Sequence, residues 1–299
     1  MLMPMTVRFA RAAMVLAAVA VADPPITKAQ DNDLVAPGAT VDRVATGFGF
    51  LEGPAADADG NLYFSDVVRE RIHRWSPETG ITLFREQTGR ANGLAVDLDG
   101  TLLVCEMANR QLTSIDQTNR LTILADRYEG QRFNSPNDLW VDPKGGIYFS
   151  DPRYGPTDDL EIEGNHVYYL SADRQTLSRV TNDLVQPNGI IGTPDGSRVY
   201  VADQGSGRVW AYRPEADGSL SDKRLFVSQG ADGMTMDERG NLYLTGQDIT
   251  IFDPTGGQIA SIGVPEPPAN LAFGGPDRTT LFITARTSLY RVDMLVTGQ

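Results

Sequence analysis

A short phrase recurs along the chain, and its recurrence constrains the fold more than any other feature. An acidic turn followed by a β-rich run reads DADGNLYFSD at residues 57–66, and copies read DLDGTLLVCE, DPKGGIYFSD, TPDGSRVYVAD and DERGNLYLTG, with a weaker sixth, GPDRTTLFITA. The copies are about 37 to 51 residues apart, close to the repeat length of β-propeller blades. Their turns are marked by Gly60, Gly100, Gly145, Gly196, Gly240 and, in the sixth copy, Asp277.

Each turn lies between two short apolar runs, an arrangement typical of a β-hairpin. A third run such as RIHRW or HVYYL often follows, and no long stretch after residue 30 has helical periodicity. Six such units can bury both faces of every sheet by stacking radially. We therefore expect an all-β fold, a six-bladed β-propeller of four-stranded antiparallel blades. An open β-solenoid is the alternative, but six copies favour a closed ring.

Residues 41–48, VDRVATGF, are expected to form an outer strand that closes the propeller against its last blade. The first thirty residues differ from the rest: Arg8 and Arg11 precede an apolar run at residues 12–22. This pattern is typical of a secretory signal, with cleavage after Ala22 or near Gln30. The apolar run is short for a membrane span, and an uncleaved anchor is the alternative. We expect residues 1–30 to be an export segment and residues 31–299 to be one propeller domain, periplasmic or secreted and free of the membrane.

Charge and cysteine content exclude several classes of function. The formal net charge of −13 opposes nucleic-acid binding, which needs clustered Lys and Arg against phosphates. Cys105 is the only cysteine, so the chain forms no intramolecular disulfide and no cysteine zinc cluster.

A carboxylate or an amide stands at the start of the first strand in every repeat. In a propeller the first strand is innermost, so these side chains should surround the mouth of the central channel. Asn-Gly and Asp-Gly pairs also suit turns, but that alternative explains neither the glutamate nor the lack of any apolar residue at the position. We call the six residues the axial set: Glu52, Asn92, Asn137, Asn188, Asp232 and Asn270.

The two carboxylates of the axial set favour a bound cation. Charges about 5 Å apart repel by roughly 3 kcal/mol at an effective dielectric of 20. Glu52 and Asp232 could avoid this repulsion by protonating one of them or by binding a cation. Neighbouring amide oxygens favour the cation, and hard oxygen ligands suit Ca²⁺, Mg²⁺ or Mn²⁺ better than zinc.

Five stretches, in this order, carry a family resemblance: LEGPAAD, RFNSPNDLWVDPKGGIYFSDPRYG, QPNGIIGTPDGSRVYVAD, GADGMTMDERGNLYLTG and NLAFGGPDRTTLFITARTSLYRV. Over nearly all of the chain after residue 30, it resembles the senescence-marker-protein, gluconolactonase and luciferin-regenerating-enzyme family. The resemblance implies a six-bladed propeller with one divalent metal in its channel. The implied ligands are Glu52 in EGP, Asn137 in PND, Asn188 in PNG and Asp232 in DG. Ca²⁺ is the expected ion, with Mg²⁺, Mn²⁺, Zn²⁺ or Fe²⁺ as alternatives.

The resemblance further implies a metal-dependent lactonase that opens a lactone, in the first place a sugar lactone, to its hydroxy acid. The metal would polarise the lactone carbonyl and lower the pKa of the attacking water. Asp232 is the candidate general base and Glu52 the other possibility. A phosphotriesterase-like hydrolase and a non-enzymatic binding propeller stay open as alternatives. The sequence leaves the particular lactone and the oligomeric state undetermined.

Further residues are candidates for contacts with the substrate. Arg153 and Tyr154 lie on the longest insertion, residues 151–165, and His166 follows it. Loops of this kind commonly confer specificity. Asn92 and Asn270 of the axial set are also expected to touch the substrate. His73, in contrast, is expected to lie on an outer strand away from the chemistry.

Overall fold

The structure is a computed structural model that describes residues 33–299, and nearly all of its regular elements are β-strands. The one exception in that range is a short 3₁₀ turn, Gln204–Ser206. No helix in the described part of the chain is long and apolar enough to cross a membrane. The predicted export segment, residues 1–30, lies outside the described residues.

Six four-stranded antiparallel sheets form the six blades of a β-propeller, which confirms the fold expected from the repeats. Strand β1 (Asp42–Thr46) precedes blade I, which contains β2 (Leu51–Ala56), β3 (Leu62–Asp66), β4 (Arg71–Ser76) and β5 (Gly80–Glu86). Blade II contains β6 (Ala91–Val96), β7 (Leu102–Glu106), β8 (Gln111–Ile115) and β9 (Leu121–Ala125). A two-stranded hairpin follows, β10 (Arg127–Tyr128) and β11 (Gln131–Arg132).

The remaining blades follow the same order along the chain. Blade III contains β12 (Leu139–Val141), β13 (Ile147–Asp151), β14 (Asn165–Leu170) and β15 (Leu177–Leu184). Blade IV contains β16 (Pro187–Gly192), β17 (Val199–Asp203), β18 (Arg208–Pro214) and β19 (Leu220–Val227). Blade V contains β20 (Met234–Met236), β21 (Leu242–Leu244), β22 (Ile249–Phe252) and β23 (Gln258–Ile262), and blade VI contains β24 (Pro268–Gly274), β25 (Thr280–Ala285) and β26 (Ser288–Asp293).

Strand β1 completes blade VI as its fourth, outermost strand. It pairs antiparallel with β26, with Asp42 opposite Arg291 and Thr46 opposite Ser288. The innermost strands β2, β6, β12, β16, β20 and β24 each contact the next one, and β24 contacts β2 again. The ring is therefore closed by the strand that the sequence predicted for this role.

Apolar side chains fill the spaces between neighbouring blades. Each of six buried clusters draws its residues from two adjacent blades; for example, Leu51 and Phe64 of blade I pack with Phe282 and Leu289 of blade VI. Apolar burial of this kind is the main favourable contribution to folding. The blades thus stabilise one another pairwise around the axis.

The repeated turns all lie at one end of the hairpins, which we call the turn face, and the axial set lies toward the other end, the site face. Gly60 adopts φ of 81° and Gly145 adopts φ of 89°, values that glycine tolerates without steric cost. In the weaker sixth copy Arg278 takes this conformation instead, with φ of 59°. The sixth turn therefore keeps the conformation of the other five without the glycine.

Candidate active site

The axial set lies on the innermost strands or immediately before them. Glu52, Asn92 and Asn188 are each the second residue of their strand, whereas Asn137 and Asp232 lie two residues ahead of theirs. In blades I, II, IV and VI the pairing register shifts at this position. Such a β-bulge re-aims a side chain. Five of the six residues are buried, and Asp232 is partly exposed.

The glycines that follow axial residues pack against the next blade rather than forming turns. A Cβ on Gly53 would lie 2.0 Å from the backbone oxygen of Asn92, and one on Gly189 would lie 2.7 Å from the backbone oxygen of Asp232. The Gly189 N–H donates to that same oxygen at 2.7 Å. These pairs are therefore explained by close contact between blades near the axis, not by the turn propensity considered above.

Carboxylates at the ends of second strands hold the loops that lead to three axial residues. The Asp66 carboxylate accepts the N–H groups of Gly49 and Phe50 at 2.9 and 3.2 Å, just ahead of Glu52. Asp151 does the same for the loop before Asn137, and Asp203 for the loop before Asn188. In each case the two bonded N–H groups are three and two residues before the axial residue. In these three blades the second strand thus fixes the backbone position from which the axial side chain extends.

The two carboxylates of the axial set influence each other. Burial raises the pKa of Glu52 well above its usual value, and the negative charge of Asp232 raises it further. Burial also raises the pKa of Asp232 to about 6, against the lowering effects of the Asn188 amide and the Arg286 guanidinium. A buried pair of like charges is stable only with a bound proton or a bound cation.

Asp138 is a third carboxylate at the axis that the sequence reading missed. It occupies the position that a glycine takes after the axial residue in blades I, II, IV and V, so its side chain enters the space between blades. Burial raises the pKa of Asp138 to about 7, while the N–H groups of Leu139 and Ile190 lower it. A comparison of PND at residues 136–138 with PNG at residues 187–189 shows that an aspartate replaces the glycine, and this difference could have indicated the additional carboxylate.

The Asn188 amide lies among three polar side chains of the site. Its Nδ2 lies 2.5 Å from Asp232 Oδ1, 2.7 Å from the Tyr154 hydroxyl and 3.5 Å from Gln204 Oε1. The Tyr154 hydroxyl in turn donates to Gln204 Oε1 at 2.7 Å. Tyr154 therefore reaches from the long insertion to the axial set.

Two cavities flank the axial set. On the site face, a cleft of about 470 Å³ is open to solvent and is lined by Phe50, Gln204, Asp232, Thr245, Gln247, Pro267, Pro268 and Arg286, among others. We call it the axial cleft. On the other side a channel of about 560 Å³ begins at Asp138 and Asn270, has mainly apolar walls, and extends to turn residues such as Pro143 and Pro194. The axial cleft places the Asp232 carboxylate beside a solvent-accessible space of substrate size.

The fold and the motifs together are those of a known family. The family model described as SMP-30/Gluconolactonase/LRE-like region matches residues 50–287. The chain belongs to this family.

Relatives within the SMP-30/gluconolactonase family carry lactonase names. A protein named gluconolactonase from Zymomonas mobilis is 33% identical over 288 residues, covering 84% of this chain and 80% of its own. A protein named pentonolactonase XacC from Haloferax volcanii is 28% identical, covering 87% of this chain and 96% of its own. The solved structure of a gluconolactonase from Xanthomonas campestris superposes with a TM-score of 0.81 at 29% identity, covering 92% of this chain and 99% of that one.

In this SMP-30/gluconolactonase family member, some of the other candidate residues lie in the axial set and others do not. Asn92 and Asn270 lie in the axial set, and the Asn270 amide lowers the pKa of both Glu52 and Asp138. Arg153 is not directed toward the axial cleft: its guanidinium forms an ion pair with Asp159 and donates to the backbone oxygens of Asn134 and Pro156. These contacts join Arg153 to other residues of the insertion and to the loop before Asn137, so Arg153 stabilises the conformation of the insertion.

His166 and His73 both lie away from the axial set. His166 is buried in β14, its Nε2 is 2.8 Å from the backbone oxygen of Glu163, and burial lowers its pKa. The expected contact of His166 with substrate therefore gains no support from its position. His73 lies on β4 and packs against Phe48 and Phe64, as expected of an outer-strand residue.

The donor set of the axial residues suits a hard cation. Among residues 33–299 no three carboxylates, imidazoles or thiols are arranged so that they alone could hold a metal ion, so a metal here depends on amides as well. Asn188 presents its nitrogen to Asp232, but turning the amide over would present its oxygen instead. The Tyr154 hydroxyl can both donate and accept, so it satisfies either orientation. Two carboxylates with raised pKa values and neutral amide oxygens match the ligands that Ca²⁺ prefers.

Proposed function

We propose that this protein hydrolyses a lactone, in the first place a sugar lactone, with a divalent cation held by Glu52, Asn137, Asn188 and Asp232. The observation that carries the proposal is the meeting of two carboxylates from separate blades, both with raised pKa values, beside the axial cleft. The lactonase names of the relatives support the substrate class. Ca²⁺ is the ion we expect, and export to the periplasm or the exterior is part of the proposal.

A divalent cation at this position would supply a Lewis acid for the lactone carbonyl and lower the pKa of a neighbouring water. The protein contributes the base. Asp232 lines the axial cleft, whereas Glu52 is buried behind it and bonded to the Gly53 N–H at 3.0 Å. A carboxylate with a pKa of about 6 is ionised at neutral pH and is still a competent base.

Each side chain has a distinct part in the hydrolysis. Asp232 accepts a proton from water as the water oxygen bonds to the carbonyl carbon. The ring C–O bond then breaks and the released oxygen takes up that proton from Asp232, which gives one hydroxy acid and restores the carboxylate. In the structure Asn188 Nδ2 lies 2.5 Å from Asp232, and Tyr154 and Gln204 contact the same amide; a cation held by Asn188 would take the amide oxygen instead. This division favours Asp232 over Glu52 as the base.

The test is acid release from a panel of aldonolactones by protein treated with a chelator and then resupplied with single divalent ions. We expect turnover that the chelator abolishes and that Ca²⁺ restores. Asp232→Asn should lower kcat/KM by about 1,000-fold or more, because it removes the base and one ligand charge. Asp253→Asn, an equal charge change in an exposed turn of the same blade, should leave kcat/KM unchanged.

Other outcomes would assign the site differently. Turnover of a phosphotriester with none of any lactone would favour the phosphotriesterase alternative. Absence of both activities, with a chelator lowering only the Tm, would mean that the cation joins blades without chemistry. Normal turnover by Asp232→Asn would refute the assignment of the base.

A further inference from the structure

Arg286 places a positive charge in the axial cleft. It lies in the turn between β25 and β26, and its backbone oxygen accepts the N–H of Leu51 at 2.8 Å, which ties this turn to the residue before Glu52. Its guanidinium carbon lies 5.5 Å from the centre of the Phe50 ring. The charge is close enough to Asp232 to lower the pKa of that carboxyl.

The Arg286 guanidinium has no hydrogen bond or ion pair within residues 33–299. Arg110, at the equivalent turn of blade II, is fully engaged in contrast: it forms an ion pair with Asp159 and donates to backbone oxygens, including that of Phe133. Arg153 of the insertion also pairs with Asp159. A guanidinium carries five N–H donors, so those of Arg286 are available to a ligand.

Glu266, an acidic residue next to Pro267 of the axial cleft, is already bonded to other donors. The Glu266 carboxylate accepts the N–H and the hydroxyl of Thr287 at 2.9 and 3.0 Å, the Tyr290 hydroxyl at 3.0 Å, and the Ser288 hydroxyl. These donors lower the pKa of the Glu266 carboxyl group and hold it against the start of β26. Asp203 is likewise taken up by the backbone N–H groups of Val185 and Gln186 and the hydroxyl of Ser206. Arg286 is therefore left facing solvent in the axial cleft.

The rest of the axial cleft is neutral and suits a small polyhydroxylated ring. Phe50, Pro267 and Pro268 offer apolar surfaces, and Gln204, Thr245 and Gln247 offer hydrogen-bonding groups. A volume of about 470 Å³ is ample for one sugar-sized lactone with a further substituent. Asp232 and Arg286 are the only charged side chains among the described residues that line it.

We propose that Arg286 is a specificity residue that binds an anionic substituent, a carboxylate or a phosphate, on the part of the lactone remote from the reacting carbonyl. The planar guanidinium fork pairs with both groups through two parallel hydrogen bonds. This inference rests on the proposed function. The hydrolysis itself is unchanged, because the anionic group neither gains nor loses a bond during ring opening.

Three lactones of the same ring test the inference: D-glucono-δ-lactone, the same lactone with a phosphate ester at C6, and the same lactone with C6 as a carboxylate. We expect the wild-type protein to favour at least one charged lactone, and the better one identifies the anionic group. Arg286→Gln should lower kcat/KM for that lactone by about 10- to 100-fold, the usual effect of losing a charge-assisted hydrogen bond. At pH 8, where Asp232 is ionised with or without the neighbouring charge, the same substitution should change kcat/KM for the neutral lactone by less than about 3-fold, since the neutral lactone has no group to pair with the charge.

Two further variants control the measurement. Arg286→Lys keeps the charge but not the fork and should retain part of the preference. Arg74→Gln removes an arginine that lies over Tyr63 at 6.0 Å, outside the residues that line the axial cleft, and should leave all three rates unchanged. Added salt should weaken the preference in the wild type, because this guanidinium is exposed.

An equal loss of rate on neutral and charged lactones in Arg286→Gln would overturn the inference while leaving the proposed function intact, since Arg286 would then act on something common to all lactones. No loss on any lactone would overturn it as well. If the wild type opened no lactone, the proposed function would fail separately. Calorimetry with the neutral polyol D-glucitol, with D-glucitol 6-phosphate and with D-gluconate would then decide: tighter wild-type binding of either anion than of the polyol, lost in Arg286→Gln, supports the assignment, and equal binding of all three refutes it.

Discussion

The Asn188 amide nitrogen has three acceptors around it but only two hydrogens to donate. Asp232 Oδ1, the Tyr154 hydroxyl and Gln204 Oε1 all lie within 3.5 Å of that nitrogen. Tyr154 is partly buried, and burial together with the charge of Asp232 raises the pKa of its phenol, so the hydroxyl keeps its proton. Tyr154 is thus a positioning residue for an axial ligand rather than only a wall of the substrate site.

We expect Tyr154→Phe to lower kcat/KM by roughly 10-fold, because Asn188 loses one partner of its amide. The Ca²⁺ concentration for half-maximal activity should rise as well, since a less constrained amide is a poorer ligand. The ring itself stays, so the Tm should hardly change. Tyr63→Phe serves as the control, because it removes a hydroxyl from a tyrosine on β3 that packs against Phe84 and does not line the axial cleft. An unchanged Ca²⁺ requirement in Tyr154→Phe would mean that the hydroxyl does not position Asn188.

Single residues were predictable where the repeat itself marked them. All six members of the axial set were located by their equivalent positions, and five of them are buried at the axis. Arg286 was missed because its role depends on Glu266 being occupied by Thr287 and Ser288, a contact that no local pattern shows. The positions of Arg153 and His166 in the sequence predicted that both would lie on the site face near the axial set. In the structure Arg153 pairs with Asp159 of the insertion, and His166 contacts the backbone oxygen of Glu163.

At the scale of strands and loops, the carboxylates at the ends of β3, β13 and β17 form a repeated device. Each accepts the two N–H groups that precede an axial residue by three and two positions. Blade V differs: Gly246 stands where the other three blades have the aspartate, and the hydroxyl of the preceding Thr245 accepts the N–H groups of Asp232 and Gly233 themselves at 3.1 and 3.0 Å. The loops that enter the blades are therefore held by hydrogen bonds to second strands.

Asp66→Asn tests this device in blade I. An amide has one acceptor oxygen where the carboxylate has two, so the N–H groups of Gly49 and Phe50 cannot both keep their partners. We expect a loss of about 1 kcal/mol in the free energy of unfolding, measured with urea, because a partly buried donor is left unsatisfied. Glu52 should also be less well placed, which raises the Ca²⁺ concentration needed for activity.

Asp116→Asn is the matched control, because Asp116 accepts the N–H groups of Thr118 and Arg120 in an exposed turn far from the axis. It should cost well under 1 kcal/mol of unfolding free energy. A destabilised Asp66→Asn with an unaltered Ca²⁺ requirement would show that Asp66 supports the fold without positioning Glu52.

The strand order and the closing strand could be predicted because turn, strand and spacing recur in the sequence six times. The β-bulges at Glu52, Asn92, Asn188 and Asn270 could not, since they arise where a strand passes close to its neighbour blade. The hairpin of β10 and β11 also went unpredicted. It has only two residues in each strand, too few for a period of two to be visible.

At the scale of the whole molecule, the axis concentrates carboxyl groups that folding makes harder to ionise. Burial raises the pKa of Asp138 to about 7 and that of Asp232 to about 6, and it also raises the pKa of Glu52 well above its usual value. An unfolded chain would ionise these groups near pH 4. Between about pH 4 and pH 7 the folded protein therefore binds more protons than the unfolded chain, so rising pH destabilises the fold through these groups.

We accordingly expect metal-free protein to lose stability as the pH is raised from 5.5 to 8, with a fall in Tm of roughly 5 °C or more in the presence of a chelator. Saturating Ca²⁺ should reduce this fall, because a cation bound to Glu52 and Asp232 favours their ionised forms and stabilises only the folded chain. Asp232→Asn should flatten the pH dependence without Ca²⁺ and respond less to the ion. Calorimetric scans of both proteins at several pH values, with and without Ca²⁺, make the comparison. A metal-free wild type whose Tm rises steadily between pH 5.5 and 8 would show that these carboxyl groups are ionised in the folded protein at little cost, and the electrostatic case for a cation at the axis would fail with it.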